Sequence, residues 1–111
     1  GFSYWGFACD NTAMFIAALT PVRADYEAYY TDALSVLDTY KTDGGYFYAA
    51  EYGKTPSSNS TALALMAYTL AGNADKAKDA YLTLVAEYQT DTGVFDCGGR
   101  ALKAAPAGDR P

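Results

Sequence analysis

The sequence contains no histidine and only two cysteines, Cys9 and Cys97. The absence of histidine excludes nucleophiles activated by histidine, histidine proton shuttles and the most common zinc ligand. No apolar run reaches the length of about 18 residues that a membrane-spanning helix needs. There are 8 Lys and Arg residues against 13 Asp and Glu residues, and no basic stripe is present. Nucleic acid and anionic membranes are therefore poor partners, and we expect no cofactor, no metal and no membrane insertion.

The two cysteines allow two interpretations. A disulfide between Cys9 and Cys97 would close a long loop and contribute about 4 kcal/mol to stability. The alternative is a pair of small, buried, reduced thiols. Eleven tyrosines, together with many Ser, Thr and Asn residues, favour an extracellular protein.

A segment of the chain occurs twice, about fifty residues apart. Residues 10–19 (DNTAMFIAAL) align with residues 59–68 (NSTALALMAY), and residues 41–47 (KTDGGYF) align with residues 89–95 (QTDTGVF). The two alignments differ in register by one residue, which indicates that one helical unit is duplicated. A repeat unit rarely buries its apolar face alone and needs neighbouring units to cover it.

Each repeat predicts an inner helix followed by an outer helix. The inner helices, about 11–19 and about 60–70, are nearly all apolar, so we expect them to be covered on every side. The outer helices, about 24–41 and about 75–89, carry one apolar stripe at three- and four-residue spacing and a polar face. The sequence thus predicts four helices in the order inner, outer, inner, outer.

Capping and breaking residues indicate where these helices end. Asp10 or Asn11 is expected to cap the first helix, and Pro21 closes it. Gly72 fits a left-handed stop for the third helix. Residues 46–57, between the two hairpins, have no strand pattern of useful length and are predicted to form a loop, and loops of this length are often binding elements.

We therefore predict an all-α fold with two antiparallel helical hairpins, about 9–41 and about 58–89, within a domain of residues 1–99. Residues 100–111 are expected to form a poorly ordered tail or the stub of a further inner helix. The first and last residues of the chain fall at equivalent points of the repeat. This favours a fragment of a larger polypeptide over a chain whose leader has been removed.

The repeat resembles the α/α-toroid superfamily, which includes squalene and terpene cyclases, protein prenyltransferase β-subunits and cobalamin carriers. The resemblance rests on Asp-Asn-Thr-Ala-Met at 10–14, opening a buried helix, and on residues 89–95. The latter are similar to the cyclase motif Gln-x-x-x-Gly-x-Trp, with Phe95 in the Trp position. Together with residues 43–46 and 59–62, they most closely resemble toroid repeats of secreted and cell-surface proteins of Gram-positive bacteria.

This resemblance implies a closed ring of several hairpins, of which the present chain would be an arc. The flanks of such an arc would be apolar where neighbouring hairpins are missing. We therefore expect these flanks to bind the rest of a parent polypeptide or a further copy of the chain. The resemblance also implies an extracellular or cell-surface location in a bacterium.

The chemistry of the catalytic toroids does not carry over to these residues. Cyclases use a crowded Asp-x-Asp-Asp-Thr-Ala motif as a strong acid, whereas residues 8–13 keep only Asp10 of the three acids. The zinc site of the prenyltransferases requires a histidine. Asp43 and Glu51 suggest a glycosidase acid pair, but Asp43 precedes two glycines and is more typical of a turn.

We expect a non-catalytic ligand-binding or structural module that presents aromatic loops at one end of the helix layer. Exposed Trp and Tyr rings suit flat or sugar-like ligands, either a small molecule or a glycan. The candidate ligand-binding residues are Trp5, Tyr46, Tyr48 and Tyr52. One alternative is a fragment of a carbohydrate-active or terpene cyclase-like enzyme whose catalytic residues lie outside this chain. Another is a helical scaffold that contacts other proteins through its concave inner side.

Overall fold

A computed structural model of the protein describes residues 8–89, of which 73% are helical. The four expected helices are confirmed. They are α1 (Cys9–Leu19), α2 (Glu27–Asp38), α3 (Ser58–Ala71) and α4 (Ala74–Glu87). No helix within residues 8–89 combines the length and the apolar character needed to cross a membrane. The tail predicted for residues 100–111 lies outside the described residues.

The prediction of an all-α fold was incomplete, because a small antiparallel sheet connects the two hairpins. Its strands, in spatial order, are β1 (Lys41–Thr42), β2 (Gly45–Phe47) and β3 (Pro56–Ser57). Strands of two or three residues are too short to produce an alternating pattern in the sequence. Their pairing depends on burial of the central strand, β2, in which all three residues are buried.

The connections between α-helices also contain two 3₁₀ helices, at Thr20–Asp25 and at Ala50–Tyr52. The first begins with Pro21 in its first turn, so Pro21 ends α1 as predicted. Because this 3₁₀ helix extends to Asp25, α2 starts at Glu27 and not near residue 24. Proline is tolerated here because the first turn of a helix needs no donor at that position.

The predicted inner and outer roles follow from the packing. Helices α1 and α3 pack side by side, α2 packs on α1, and α4 packs on α3. The core between them contains two inner-helix residues, Ile16 and Tyr68, and two outer-helix residues, Tyr30 and Leu37. Each hairpin therefore buries one face of its outer helix, and the two inner helices join the hairpins.

The sequence repeat reappears in the buried positions. Thr12 in α1 and Thr61 in α3 are both fully buried, and each donates a hydrogen bond to the carbonyl four residues earlier, at 2.9 Å and 2.7 Å. Each outer helix buries three residues at equivalent positions, separated by three and then four residues. These positions are Tyr30, Ala33 and Leu37 in α2, and Ala77, Ala80 and Leu84 in α4.

The expectation that the inner helices are covered on every side was wrong. Met14 is 56% exposed and Ala18 is exposed in α1, while Ala62 and Leu70 are exposed in α3. Within residues 8–89 each inner helix has one outer helix and one inner helix as neighbours, so no described helix covers its remaining side. Apolar composition all round a helix predicts burial only when the chain supplies enough neighbours.

The helix ends agree with the predictions in part. Gly72 adopts the left-handed conformation (φ 80°) that stops α3. The predicted cap of α1 was wrong, because Ala8 occupies the capping position and no side chain caps the helix. Asp10 lies one residue inside α1, and its carboxylate accepts a hydrogen bond from Ser60 Oγ at 2.7 Å. Its role is therefore to connect the two inner helices.

One buried hydroxyl connects the sheet to α3. Thr61 Oγ1 donates to the Ser57 carbonyl and accepts a hydrogen bond from the backbone N–H of Tyr46 at 2.9 Å. Gly45 lies directly beside it with φ 128°, and a Cβ atom there would be 2.5 Å from Thr61 Oγ1. The positive φ and the close approach both require glycine at this position.

Replacing Thr61 by valine should lower the free energy of unfolding by about 1–3 kcal/mol, because the buried N–H of Tyr46 loses its acceptor. Thr31→Val is the matched control, since Thr31 is exposed and donates only to carbonyls of its own helix. Urea unfolding followed by circular dichroism measures both. Equal stabilities for the two variants would contradict this role of Thr61.

A second stability prediction concerns Gly45. The Gly45→Ala variant should lose more stability than Gly72→Ala, although both glycines have positive φ. A Cβ at Gly72 meets nothing within 4 Å, so that variant suffers only the backbone strain of about 1–2 kcal/mol. Thermal unfolding of the two variants under identical conditions compares them, and a larger loss at Gly72 would refute the proposed clash with Thr61.

Candidate functional site

The segment between α2 and α3 lies across one end of the helix layer. It follows the C-terminus of α2 and precedes the N-terminus of α3. The N–H of Cys9, at the start of α1, donates to the Tyr48 carbonyl at 2.7 Å. The Tyr88 hydroxyl, just after α4, donates to the Gly44 carbonyl at 3.0 Å. The segment therefore contacts the same end of all four helices, which is where the sequence predicted an aromatic loop.

Two of the predicted ligand-binding residues form an exposed pair. Tyr48 is 42% exposed and Tyr52 is 75% exposed. Their ring centroids are 5.9 Å apart, and the ring planes are tilted by 33°. The short 3₁₀ helix that ends at Tyr52 brings the two rings together on the surface.

The other two predicted residues do not join this pair. Tyr46 is only 2% exposed, and its ring packs against Tyr68 with 6.1 Å between centroids. It therefore belongs to the core, because β2 is the central strand and both of its faces are covered. Trp5 lies outside the described residues, so its predicted role is unchanged.

A cleft of about 470 Å³ is next to the tyrosine pair along the chain: Phe47, Ala50 and Glu51 line it, whereas the two tyrosines do not. Its apolar part includes Tyr40 and Phe47, whose rings meet edge to face at 5.4 Å. Its polar groups are the Glu51 carboxylate, the Lys54 ammonium and the Thr39 hydroxyl. The ammonium lies 5.9 Å from the centroid of the Phe47 ring. An apolar floor with a few polar groups around it is typical of a small-molecule or sugar site.

The ionisable groups around the cleft are suited to binding more than to proton transfer. Glu51 is the one carboxylate among the described residues that line the cleft, and Asp43, its suggested partner in an acid pair, is not among them. Burial raises the pKa of the Tyr40 hydroxyl above its ordinary value, and this hydroxyl interacts with the buried Thr12 side chain, so it does not serve proton transfer in the cleft. Sequence reasoning did not identify Thr39, Tyr40 or Lys54, because Thr39 and Tyr40 fall in the predicted outer helix and Lys54, within the loop, carries no motif.

A second polar cluster joins α2, α3 and α4. The Asp38 carboxylate accepts hydrogen bonds from the Tyr68 hydroxyl and from Lys76 Nζ, the latter at 2.7 Å. Burial, followed by the hydrogen bond to Asp38, raises the pKa of Tyr68. Nearby, Lys41 pairs with Asp79 at 3.4 Å. The charges and hydrogen-bonding groups of this cluster are paired with one another, which indicates a structural junction between the hairpins.

Cys9 is fully buried at the start of α1, and its Sγ lies 3.7 Å from the Ser60 carbonyl oxygen. Burial, and secondarily the charge of Asp10, raises the pKa of the thiol. Cys97 lies outside the described residues, so the suggested bridge between the two cysteines remains a prediction. Among residues 8–89, no three His, Cys, Asp or Glu side chains are grouped as metal ligands would be.

In the reduced Cys97→Ser variant, Cys9 should react with iodoacetamide at least about tenfold more slowly in the folded protein than in urea, because the buried thiol does not form a thiolate. Mass spectrometry of samples quenched over time measures the reaction. Equal rates in the two conditions would mean that α1 does not protect this side chain.

Comparisons with models of known protein families, with curated proteins and with solved structures found no match. The resemblance to α/α-toroid repeats therefore remains an expectation from the sequence. The geometry of the tyrosine pair and its cleft is the basis for a functional proposal.

Proposed function

We propose that this protein is a non-catalytic carbohydrate-binding module, and that its two hairpins are an arc of an α/α toroid in a secreted or cell-surface bacterial protein. The observation that supports the binding role is the exposed pair of Tyr48 and Tyr52 beside the cleft. The duplicated hairpins support the arc. The tyrosine-rich composition supports the location.

A sugar ring fits the chemistry of this site. One face of a pyranose with equatorial hydroxyls is lined by C–H groups, which pack on an aromatic ring, while its hydroxyls need polar partners. The tilted rings of Tyr48 and Tyr52 provide two such surfaces. Glu51 offers an acceptor and Lys54 a donor at the adjacent cleft.

The arrangement favours binding over hydrolysis. A glycosidase needs two carboxyl groups that face each other across the scissile bond. The described part of the cleft provides only Glu51. The alternative, an enzyme whose catalytic residues lie outside this chain, therefore gains no support from this site.

The direct test is calorimetric titration with two neutral β-linked oligosaccharides, cellopentaose and N-acetylchitopentaose. We expect one of them to bind, and we expect Tyr52→Ala and Tyr48→Ala each to weaken binding about tenfold through loss of a stacking surface. Glu51→Gln should bind within a few fold of the parent protein, since a neutral amide also accepts hydrogen bonds from sugar hydroxyls.

Tyr26→Ala is the matched control. Tyr26 is 47% exposed, similar to Tyr48, but it precedes the opposite end of α2. This variant should bind like the parent protein. Binding of neither sugar, or equal losses in all three tyrosine variants, would refute the proposal.

A further inference from the structure

Each inner helix has one side that faces the other inner helix and one side, here called the uncovered side, that no described helix contacts. The residues on these two sides can be compared. On α1, Asp10 and Ala13 lie three residues apart on the side that faces α3, where Asp10 binds Ser60 at 2.7 Å. On α3, Ser60 and Ala67 lie seven residues apart on the side that faces α1. Ala13, Ser60 and Ala67 are all buried.

The repeat places equivalent residues on the uncovered sides. Asn59 and Ala62 of α3 correspond to Asp10 and Ala13 of α1, and both are exposed. Asn11 and Ala18 of α1 correspond to Ser60 and Ala67 of α3, and both are likewise exposed. Between the two described hairpins these positions are therefore buried or, for Asp10, half-buried, and their repeat equivalents, which no described hairpin faces, are exposed.

The outer helices differ in chemistry, and not in burial, between the two kinds of side. Between the hairpins, Asp38 of α2 forms an ion pair with Lys76 of α4. The buried positions of α2 and α4 are 47 residues apart, so Val85 is the equivalent of Asp38, and Tyr29 is the equivalent of Lys76. Tyr81, which is 54% exposed, is likewise the equivalent of Leu34, a half-buried residue that faces the turn between α3 and α4. Tyr29 is 54% exposed. At the free sides Tyr29 and Val85 thus take the places of the ion pair, and their side chains are suited to an apolar contact.

We propose that two copies of this chain associate head to tail, by repeating the contact between their own two hairpins. The trailing edge (Asn59, Ala62, Tyr81 and Val85) of one copy packs on the leading edge (Asn11, Ala18 and Tyr29) of the next. The side chains of Asn59 and Asn11 meet in the positions of Asp10 and Ser60, where two amides can donate to and accept from each other.

A second copy fits because each edge is the repeat equivalent of one half of the interface between the two hairpins of the chain itself. Small residues at Ala18 and Ala62 allow the inner helices to approach as closely as Ala67 and Ala13 do inside the chain. The interface is heterologous, so each copy keeps one edge free for a further copy. This association is independent of the proposed carbohydrate site, which lies at the end of the helices.

The experiment uses one arginine substitution on each edge. Ala62→Arg blocks the trailing edge, and Ala18→Arg blocks the leading edge. Both positions are exposed, so the folded chain has room for the new side chain, and circular dichroism confirms the fold. Ala86→Arg is the control, because Ala86 is exposed on the outer side of α4, away from both edges.

Sedimentation equilibrium over a hundredfold concentration range provides the measurement. The parent protein and the Ala86→Arg variant should exceed the monomer mass at high concentration. Ala62→Arg alone and Ala18→Arg alone should remain monomeric. An equimolar mixture of these two variants should form a one-to-one dimer, because each still has the edge that the other lacks.

Three results would overturn the proposal. They are a parent protein that is monomeric at every concentration, an edge variant that associates like the parent, and a mixture that remains monomeric. A symmetric dimer would also be recognised, since it would survive one of the two edge substitutions. If either alanine variant does not fold, Tyr81→Arg and Tyr29→Arg on the outer helices block the same two edges.

Discussion

The hydroxyl of Thr61 holds the region between the hairpins in place. It bonds to the backbone of two adjacent strands, at Tyr46 in β2 and at Ser57 in β3. A buried donor without an acceptor costs about 1–3 kcal/mol, so this hydroxyl stabilises the packing of β2 on α3 by about that amount. The same contact requires glycine at residue 45 and thereby determines the turn between β1 and β2.

The position of the tyrosine pair depends on that junction. Once β2 is held against α3, Tyr48 directly follows it, and its carbonyl receives the N–H of Cys9 at the start of α1. The 3₁₀ helix at Ala50–Tyr52 then places Tyr52 beside Tyr48. The proposed binding surface is thus made of exposed side chains on backbone that two inner helices hold, which keeps the rings preorganised for a ligand.

The repeat explains why the two hairpins pack in the same way and why each inner helix keeps one side without a described neighbour. Each hairpin buries its outer helix in the same way, and the threonine bond at Thr12 recurs at Thr61. However, two hairpins provide only one contact between inner helices. The second contact that each inner helix could make has no partner within the described part of the chain, and the proposed self-association supplies one.

The sequence by itself determined the helices and their order, because three- and four-residue spacing, Pro21 and Gly72 act locally through backbone geometry. It also identified Tyr48 and Tyr52 as candidates, since both lie in a long segment without helical periodicity. Only the tertiary structure decided that Tyr46 is a core residue, that Asp10 links α1 to α3, and that Thr39, Tyr40 and Lys54 line a cleft with Glu51. These outcomes depend on contacts between residues distant in the sequence, and no local pattern records such contacts.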